Sequence, residues 1–331
     1  MTTFEPCGVR VLGTGSAVPD NILGNEELAK RFDVDVDWIE QRTGIIERRY
    51  CNEDEGTFEL QTRALKAALD DAGLKGSDLS LIISASVTSE MTCPSNACRL
   101  SAEVSAAPAG AFDIVAACSG FVYAMNIADS LIKSGTQHTI AVVGCDAMSK
   151  LTDPLDRGTS ILFGDAAGAV ILQKCDDPEI GCFYQTLNGD GACWPALYIP
   201  ANESEVVDGD TATTSFGNLR MKGKEVYKFA VTKFTEIAET LLEETGLKPE
   251  DVSQFICHQS NMRIIESAQT RLGLSDDKVY KNISHYGNSS AGAAALCFDQ
   301  LWKDGKIKRG DTIVLLAFGG GLTWASSAWK I

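Results

Sequence analysis

The chain has 331 residues, 44% of them hydrophobic, and its 45 acidic side chains outnumber 29 basic ones to give a net charge of -16. This length suffices for one large domain or two ordinary ones sharing a core, and the acidic balance argues against general binding to nucleic acid or anionic membranes. No apolar run approaches the ~20 residues of a membrane helix, and the first residues do not resemble a signal peptide.

Strand-like and helix-like segments alternate, which is typical of an α/β protein. Strands are predicted at 8–12, 79–87, 114–117, 139–143, 169–173, 254–257 and 312–317, and the clearest helices at 57–72 and 224–244. Gly73 and Gly246 end those helices. The irregular segment 188–217 separates halves of similar rhythm, 1–175 and 176–331, so we expect an internal duplication with the active site between the halves.

Cys118 follows an apolar run and precedes a Ser-Gly turn and an amphipathic segment, 121–133. The free N–H groups at the start of a helix favour a thiolate, which would partly activate this cysteine as a nucleophile. The alternative is a small buried side chain, as most free cysteines are. None of the 11 cysteines forms a C-x-x-C pair, and several lie in apolar runs, so free thiols in a reducing cytoplasm are expected.

Two polar residues and a glycine run suggest partners for this thiol. His258 follows a predicted strand and could instead cap the next helix, while Asn288 lies in a Gly-Asn turn and could be an ordinary cap. An amide and a neutral imidazole can together donate two hydrogen bonds to one oxygen. The glycines at 319–321 follow another predicted strand, where exposed N–H groups would suit an oxyanion hole or a tight bend.

Six segments, in this order, resemble beta-ketoacyl-acyl-carrier-protein synthase III. They are Trp-Ile-Glu-Gln-Arg-Thr-Gly-Ile from 38, Val-Ala-Ala-Cys-Ser-Gly-Phe from 115, Asp-Arg-Gly-Thr-Ser-Ile-Leu-Phe-Gly-Asp-Ala-Ala-Gly from 156, His-Gln-Ser-Asn-Met-Arg-Ile from 258, Tyr-Gly-Asn-Ser-Ser-Ala from 286 and Ala-Phe-Gly-Gly-Gly-Leu-Thr-Trp from 317. The resemblance implies a thiolase-like fold of two duplicated halves in five layers, α-β-α-β-α, normally a homodimer. It also implies a condensing enzyme that starts type II fatty-acid synthesis.

The resemblance assigns roles to the triad of Cys118, His258 and Asn288. Cys118 would accept an acyl primer from acyl-coenzyme A, with the oxyanion held by its own N–H and that of Gly320. His258 and Asn288 would then hold the thioester oxygen of malonyl-acyl carrier protein while carbon dioxide leaves. Phe318 would press on the malonyl carboxylate. No metal or cofactor is implied beside these substrates, and the product would be 3-oxoacyl-acyl carrier protein.

For coenzyme A, the resemblance places the adenine between Trp38 and Arg157, with Arg42 and Asn261 along the tunnel. Cys93 lies in the loop that reaches the primer pocket, where a bulky aromatic residue marks acetyl-specific members, so a longer or branched primer is expected. Other departures from the usual family pattern are Ser260 in place of alanine, Leu322 in place of phenylalanine and Ala325 in place of glycine.

Acyl carrier proteins are acidic, and a protein of net charge -16 needs a local basic patch to bind one. We expect Lys224, Lys228, Arg263 and Arg271 to form this docking surface, although an ordinary solvated face would look similar. The alternatives for the whole chain are a family relative that makes an ester or a specialised polyketide starter, a papain-like cysteine protease with the same residue order, and a non-catalytic binding protein on the same fold.

Overall fold

A computed structural model of the protein describes residues 6–207, 210 and 216–331. The strands are β1 (Gly8–Ala17), β2 (Ile22–Gly24), β3 (Glu47–Arg49), β4 (Leu81–Ala85), β5 (Gly110–Ile114), β6 (Thr139–Ala147), β7 (Asp165–Cys175), β8 (Gly181–Gly189), β9 (Leu197–Tyr198), β10 (Arg220–Met221), β11 (Gln254–Cys257), β12 (Thr312–Gly319) and β13 (Thr323–Lys330). The helices are α1 (Asn25–Phe32), α2 (Val36–Thr43), α3 (Thr57–Ala72), α4 (Asn96–Glu103), α5 (Gly120–Lys133), α6 (Arg157–Ser160), α7 (Gly223–Thr245), α8 (Met262–Arg271), α9 (Ile283–Tyr286) and α10 (Ala291–Lys303).

Local sequence signals set the ends of the two long helices. At the start of α3 the Glu59 carboxylate accepts a hydrogen bond from the Gly56 N–H at 3.0 Å, which satisfies one of the free donors there. Gly73 after α3 and Gly246 after α7 have φ of 66° and 69°, a left-handed conformation that glycine adopts without strain. Both helices therefore match their predicted ranges to within one residue.

The two main sheets share a four-strand order, to which the first sheet adds β5. The first has the order β1-β7-β6-β4-β5 and the second β11-β12-β13-β8. In the first sheet β4 pairs with β6 in parallel, β6 pairs with β7 antiparallel, and β7 pairs with β1 antiparallel. In the second sheet β11 likewise pairs with β12 in parallel, β12 with β13 antiparallel, and β13 with β8 antiparallel. All strands of the first sheet lie before residue 176 and all strands of the second after it. An internal duplication predicts this common order.

Helices cover both faces of each sheet, which confirms the five-layer α-β-α-β-α arrangement. Buried residues of α5 and α10, among them Phe121 and Phe298, pack between the two sheets and form one core with both. The outer face of the first sheet packs against α3 and α4, and the outer face of the second against α7 and α8. The ends of the two central helices therefore lie where the halves meet.

The structure corrects the strand predicted at 114–117. The strand β5 ends at Ile114, and Ala117 has a φ of 47°, which an extended strand cannot accommodate. The prediction also missed β8 and β13, which pair with each other along eight residues of the second sheet. No helix in the described part of the chain is both long and apolar enough to cross a membrane.

Candidate active site

Cys118 lies in a single 3₁₀ turn, residues 117–119, directly before α5. Two hydroxyl groups hold this turn at the Ala116 carbonyl: Ser119 Oγ donates to it at 2.7 Å and Thr323 Oγ1 at 3.2 Å. Thr323 begins β13 of the second sheet, so the turn is held by both halves of the chain. The left-handed Ala117 reverses the backbone just before the thiol, and backbone strain of this kind often marks functional sites.

The close approach of β12 to this turn requires glycine. A Cβ atom on Gly319 would lie 2.7 Å from the Cys118 backbone nitrogen and 2.9 Å from that of Ser119, closer than atoms can pack. Gly320 follows, and it lines a cavity that also contains Cys118. The glycine run thus brings two backbone segments together beside the thiol, as an oxyanion hole requires.

Burial controls the ionisation of the thiol. Cys118 is 8% exposed, and desolvation raises the pKa of its thiol to about 12, more than hydrogen bonding by Ser290 lowers it. The resting thiol therefore keeps its proton, and the expectation of a partly ionised cysteine at the helix start is wrong. Both halves of the chain cover the sulfur, an effect that the local sequence does not contain.

His258 continues β11 by one residue and its backbone N–H donates to the Leu316 carbonyl at 2.8 Å. The ring packs edge-on against Phe318, with the centroids 5.4 Å apart. Because the side chain is 1% exposed, desolvation lowers its pKa to about 3, so the imidazole is neutral at any working pH. A neutral imidazole can donate from one ring nitrogen without acting as a strong acid.

The conformation around Asn288 orients its side-chain amide. The Ser290 N–H donates to Asn288 Oδ1 at 2.9 Å, and only the oxygen of an amide can accept that bond. The Nδ2 group is thereby left to donate. The Asn288 backbone bridges to the first half, since its N–H donates to the Leu162 carbonyl at 2.8 Å and its carbonyl accepts from the Gly164 N–H at 3.0 Å.

Cys118, His258, Asn288 and Phe318 all line one cavity of about 220 Å³, so the structure brings the predicted triad together. Most other lining residues are apolar, such as Val226. A second cavity of about 770 Å³ contains Cys118 and Gly320 but neither polar partner. The Cys118 thiol thus lies where two cavities meet. His258 and Asn288 line the first cavity, and neither lines the second.

Of the residues assigned to coenzyme A, two line the first cavity and the other two lie beside Arg42. The Arg42 and Arg157 guanidinium groups lie 4.9 and 5.0 Å from the centre of the Trp38 ring. Arg42 and Asn261 line the cavity wall, and Asn261 joins α2 to α8: its Nδ2 donates to the Arg42 carbonyl at 3.1 Å while its Oδ1 caps the Arg263 N–H at 2.9 Å. A cationic and aromatic cluster of this kind can bind a flat base.

Of the basic residues predicted for docking, Lys224 and Lys228 are exposed on the first turns of α7, which line the same cavity. Arg263 is the second residue of α8, and its guanidinium lies 5.8 Å from the Tyr227 ring centre. Arg271 lies two turns further along α8 and forms an ion pair with Glu239 at 3.4 Å, so its charge is already partly balanced.

Cys93 is exposed and does not line either cavity that contains Cys118 in the described chain, whereas its neighbours Met91 and Thr92 line the second one. The structure therefore places the loop, but not this side chain, at the predicted primer pocket.

Sequence reasoning missed Asp146, a fully buried carboxylate behind the thiol. Its Oδ1 accepts from the Val87 N–H at 2.7 Å, Ser86 Oγ at 3.0 Å and Thr88 Oγ1 at 3.1 Å, and its Oδ2 accepts from the first N–H of α10 at 3.1 Å. It thereby fixes the start of the helix that follows Asn288. The sequence signal for it was that Asp146 is the one charged residue in the apolar segment 139–147.

Comparison with known proteins agrees with this geometry. Residues 112–192 match the family model described as 3-oxoacyl-[acyl-carrier-protein] synthase III, and residues 242–331 match the model of its C-terminal part. The beta-ketoacyl-[acyl-carrier-protein] synthase III of Caldanaerobacter subterraneus subsp. tengcongensis is 43% identical over 98% of both chains.

Solved structures give the same result. The 3-oxoacyl-[acyl-carrier-protein] synthase III from Aquifex aeolicus VF5 has a TM-score of 0.90 at 40% identity, covering 98% of this chain and 100% of that one. The priming beta-ketosynthase of the R1128 polyketide biosynthetic pathway has a TM-score of 0.91 at 32% identity, covering 99% and 98%. The chain therefore belongs to the beta-ketoacyl-acyl-carrier-protein synthase III family of condensing acyltransferases.

Proposed function

We propose that the chain starts type II fatty-acid synthesis by taking an acyl primer from acyl-coenzyme A onto Cys118. The thiol attacks the thioester carbonyl, its proton passes to the departing coenzyme A sulfur, and the acyl group remains on the cysteine. The N–H groups of Cys118 and Gly320 would hold the oxyanion, a role supported by the close approach at Gly319. The second cavity supplies space for the acyl chain.

Malonyl-acyl carrier protein would then use the first cavity. His258 and Asn288 donate to its thioester oxygen, carbon dioxide leaves, and the carbanion attacks the acyl-cysteine. The carbon–sulfur bond breaks, 3-oxoacyl-acyl carrier protein forms, and Cys118 regains a proton from solvent. Decarboxylation needs a stabilised enolate and a desolvated carboxylate, which suits two neutral donors beside the apolar Phe318. The shared cavity of the triad is the observation that carries the proposal, and no metal or cofactor is needed.

Intact-protein mass spectrometry tests the first step. Incubation with a panel of acyl-coenzyme A thioesters should add one acyl group to the wild-type protein and none to Cys118→Ala. Cys98→Ser, which removes an exposed thiol, is the matched control and should still be acylated. If Cys118→Ala were acylated as fully as the control, the proposed nucleophile would be wrong.

We propose that the carrier protein docks beside the cavity mouth on Lys224, Lys228 and Arg263, with Arg271 at the periphery. Lys228→Glu should raise KM for the carrier-protein substrate and leave KM for acyl-coenzyme A unchanged. Lys248→Glu makes the same change on an exposed residue beyond the far end of α7 and serves as the control. Equal KM values for the two variants would contradict this docking surface.

We propose a homodimer in the cytoplasm. The strand β5 is an outer strand of the first sheet, and Val115 beside it is 79% exposed, so pairing with a second copy would cover an open edge. Light scattering should give twice the mass of one chain. We also propose that the loop carrying Met91 and Thr92, at the second cavity, admits a longer or branched primer, and acylation confined to acetyl-coenzyme A would count against this.

The likeness to the priming ketosynthase of a polyketide pathway favours a second candidate, a starter-unit synthase that uses the same triad. Purified carrier proteins from fatty-acid and polyketide synthesis, each loaded with malonyl groups, would distinguish the two. Condensation on the fatty-acid carrier supports the first proposal, and condensation on the polyketide carrier alone supports the second.

A further inference from the structure

Ser290 brings a hydroxyl group close to the thiol of Cys118. The residue is 2% exposed and lines the second cavity together with Cys118. Its backbone is fixed on both sides: its own N–H donates to Asn288 Oδ1 at 2.9 Å, and the N–H of the next residue, Ala291, donates to Asp146 Oδ2 at 3.1 Å. These contacts hold Ser290 between the proposed nucleophile and a buried carboxylate.

The position of Ser290 in the chain does not explain its side chain. Ser290 directly precedes α10, where a serine usually caps the helix, but its hydroxyl makes no capping hydrogen bond. Its φ of 51° and ψ of -122° form a combination that glycine adopts freely and other residues only with strain. A side chain that is neither a cap nor favoured by the backbone is a candidate for a role in the site.

The Ser290 hydroxyl has one proton and two neighbours that can accept it. Hydrogen bonding by this side chain lowers the pKa of both the Cys118 thiol and the Asp146 carboxyl, so it stabilises the charged form of each. One proton can serve only one of them at a time. While the thiol is protonated, the carboxylate is the stronger acceptor. Asp146 also accepts four other hydrogen bonds, so it can release this one.

The other titratable groups around the sulfur, among the described residues, do not stabilise a thiolate. The negative charge of Asp146 opposes it, and the neutral ring of His258 is assigned to the thioester oxygen. We propose that the Ser290 hydroxyl turns from Asp146 to the Cys118 sulfur as the thiol loses its proton, and so stabilises the attacking thiolate. This inference rests on the proposed function, in which Cys118 attacks a thioester. Ser290 keeps its own proton throughout, and it is a catalytic residue because it contacts the reacting atom.

Alkylation of Cys118 by iodoacetamide tests the assignment without any thioester. Its rate is followed by mass spectrometry of the peptide that contains Cys118, in the wild-type protein, Ser290→Gly and Ser290→Ala. Both variants lack the hydroxyl and with it a hydrogen bond to a charged group, so both should react roughly tenfold more slowly than wild type at neutral pH. Acylation by acyl-coenzyme A should slow in both variants as well.

Two comparisons separate this role from a structural one. Ser290→Gly relieves the backbone strain that Ser290→Ala keeps, so its urea midpoint should be higher although both react slowly. Ser289→Ala makes the same change in the neighbouring buried serine, whose hydroxyl has no hydrogen-bond partner in the described chain, and should react as wild type. Carbon dioxide release from malonyl-carrier protein should be unchanged in all three variants, which shows that the site is still formed.

Wild-type alkylation rates in both Ser290 variants would overturn the assignment. An equal loss of carbon dioxide release would overturn it too, because Ser290 would then act by orienting Asn288. If wild-type Cys118 took no acyl group from coenzyme A thioesters, the proposed function would be refuted. Slower alkylation of the Ser290 variants would in that case still support the hydrogen bond to the thiolate.

Discussion

Asp146 makes a quantitative test of how the site is held. Asp146→Asn keeps the size of the side chain but turns one acceptor oxygen into a donor that faces a buried N–H. An unpaired buried donor costs about 1–3 kcal/mol, and each remaining hydrogen bond loses the extra strength of a charged acceptor, about 1 kcal/mol. Burial raises the pKa of this carboxyl, so removing its charge recovers part of that cost.

We therefore expect Asp146→Asn to lower the free energy of unfolding by a net ~2–4 kcal/mol, a large part of the 5–15 kcal/mol of a typical protein. Urea unfolding followed by tryptophan fluorescence, at one fixed protein concentration, measures it. Asp176→Asn removes an exposed carboxylate and should change stability by less than ~0.5 kcal/mol. If the two variants were equally stable, the four hydrogen bonds to Asp146 would not stabilise the folded chain as described.

Three further outcomes are expected. Trp38→Ala should raise KM for acyl-coenzyme A roughly fivefold, from lost stacking of about 1 kcal/mol, and leave KM for malonyl-carrier protein unchanged, since only the first substrate has an adenine; equal changes would contradict the adenine site. His258→Gln and Asn288→Ala should abolish carbon dioxide release from malonyl-carrier protein but allow acylation of Cys118, and loss of acylation would disprove this division of roles. The pKa of His258 falls from 6.5 unfolded to about 3 folded, so the unfolded chain binds a proton that the folded chain excludes. The free energy of unfolding should therefore fall as the pH drops below 6.5, and His258 should account for about 1.4 kcal/mol of this loss at pH 5.5. Urea unfolding of His258→Gln should not show this contribution.

Helix bounds were predictable where the signals are local. The range 57–72 agrees with α3 because its apolar stripe and the glycine after it act within one turn of chain. The strands β8 and β13 were not predictable in the same way. Both carry polar residues on the outer face of the sheet, such as Thr186 opposite Ser326, whose hydroxyl oxygens lie 2.9 Å apart. Such pairs satisfy each other only after the strands meet, so neither segment has an apolar pattern of its own.

In the candidate site, too, the identity of the residues was predictable from the sequence, but their ionisation and orientation were not. Cys118, His258 and Asn288 were predictable because each follows or precedes a recognisable strand or helix and together they match a family. The ionisation of the thiol was not, since it depends on side chains that cover the sulfur from both halves of the chain. The orientation of the Asn288 amide was equally hidden, because it follows from the conformation of Ser290, which has a φ of 51°.

Each half of the chain donates or accepts hydrogen bonds that hold a site residue of the other half. Thr323 of the second half holds the turn of Cys118, and the backbone of Asn288 pairs with Leu162 and Gly164 of the first half. Neither half alone contains a complete set of these supports. A chain in which only the first half has folded would hold the Cys118 turn through Ser119 but would lack the hydrogen bond from Thr323. The complete set of contacts around this proposed nucleophile therefore forms only after both halves have been synthesised and have docked.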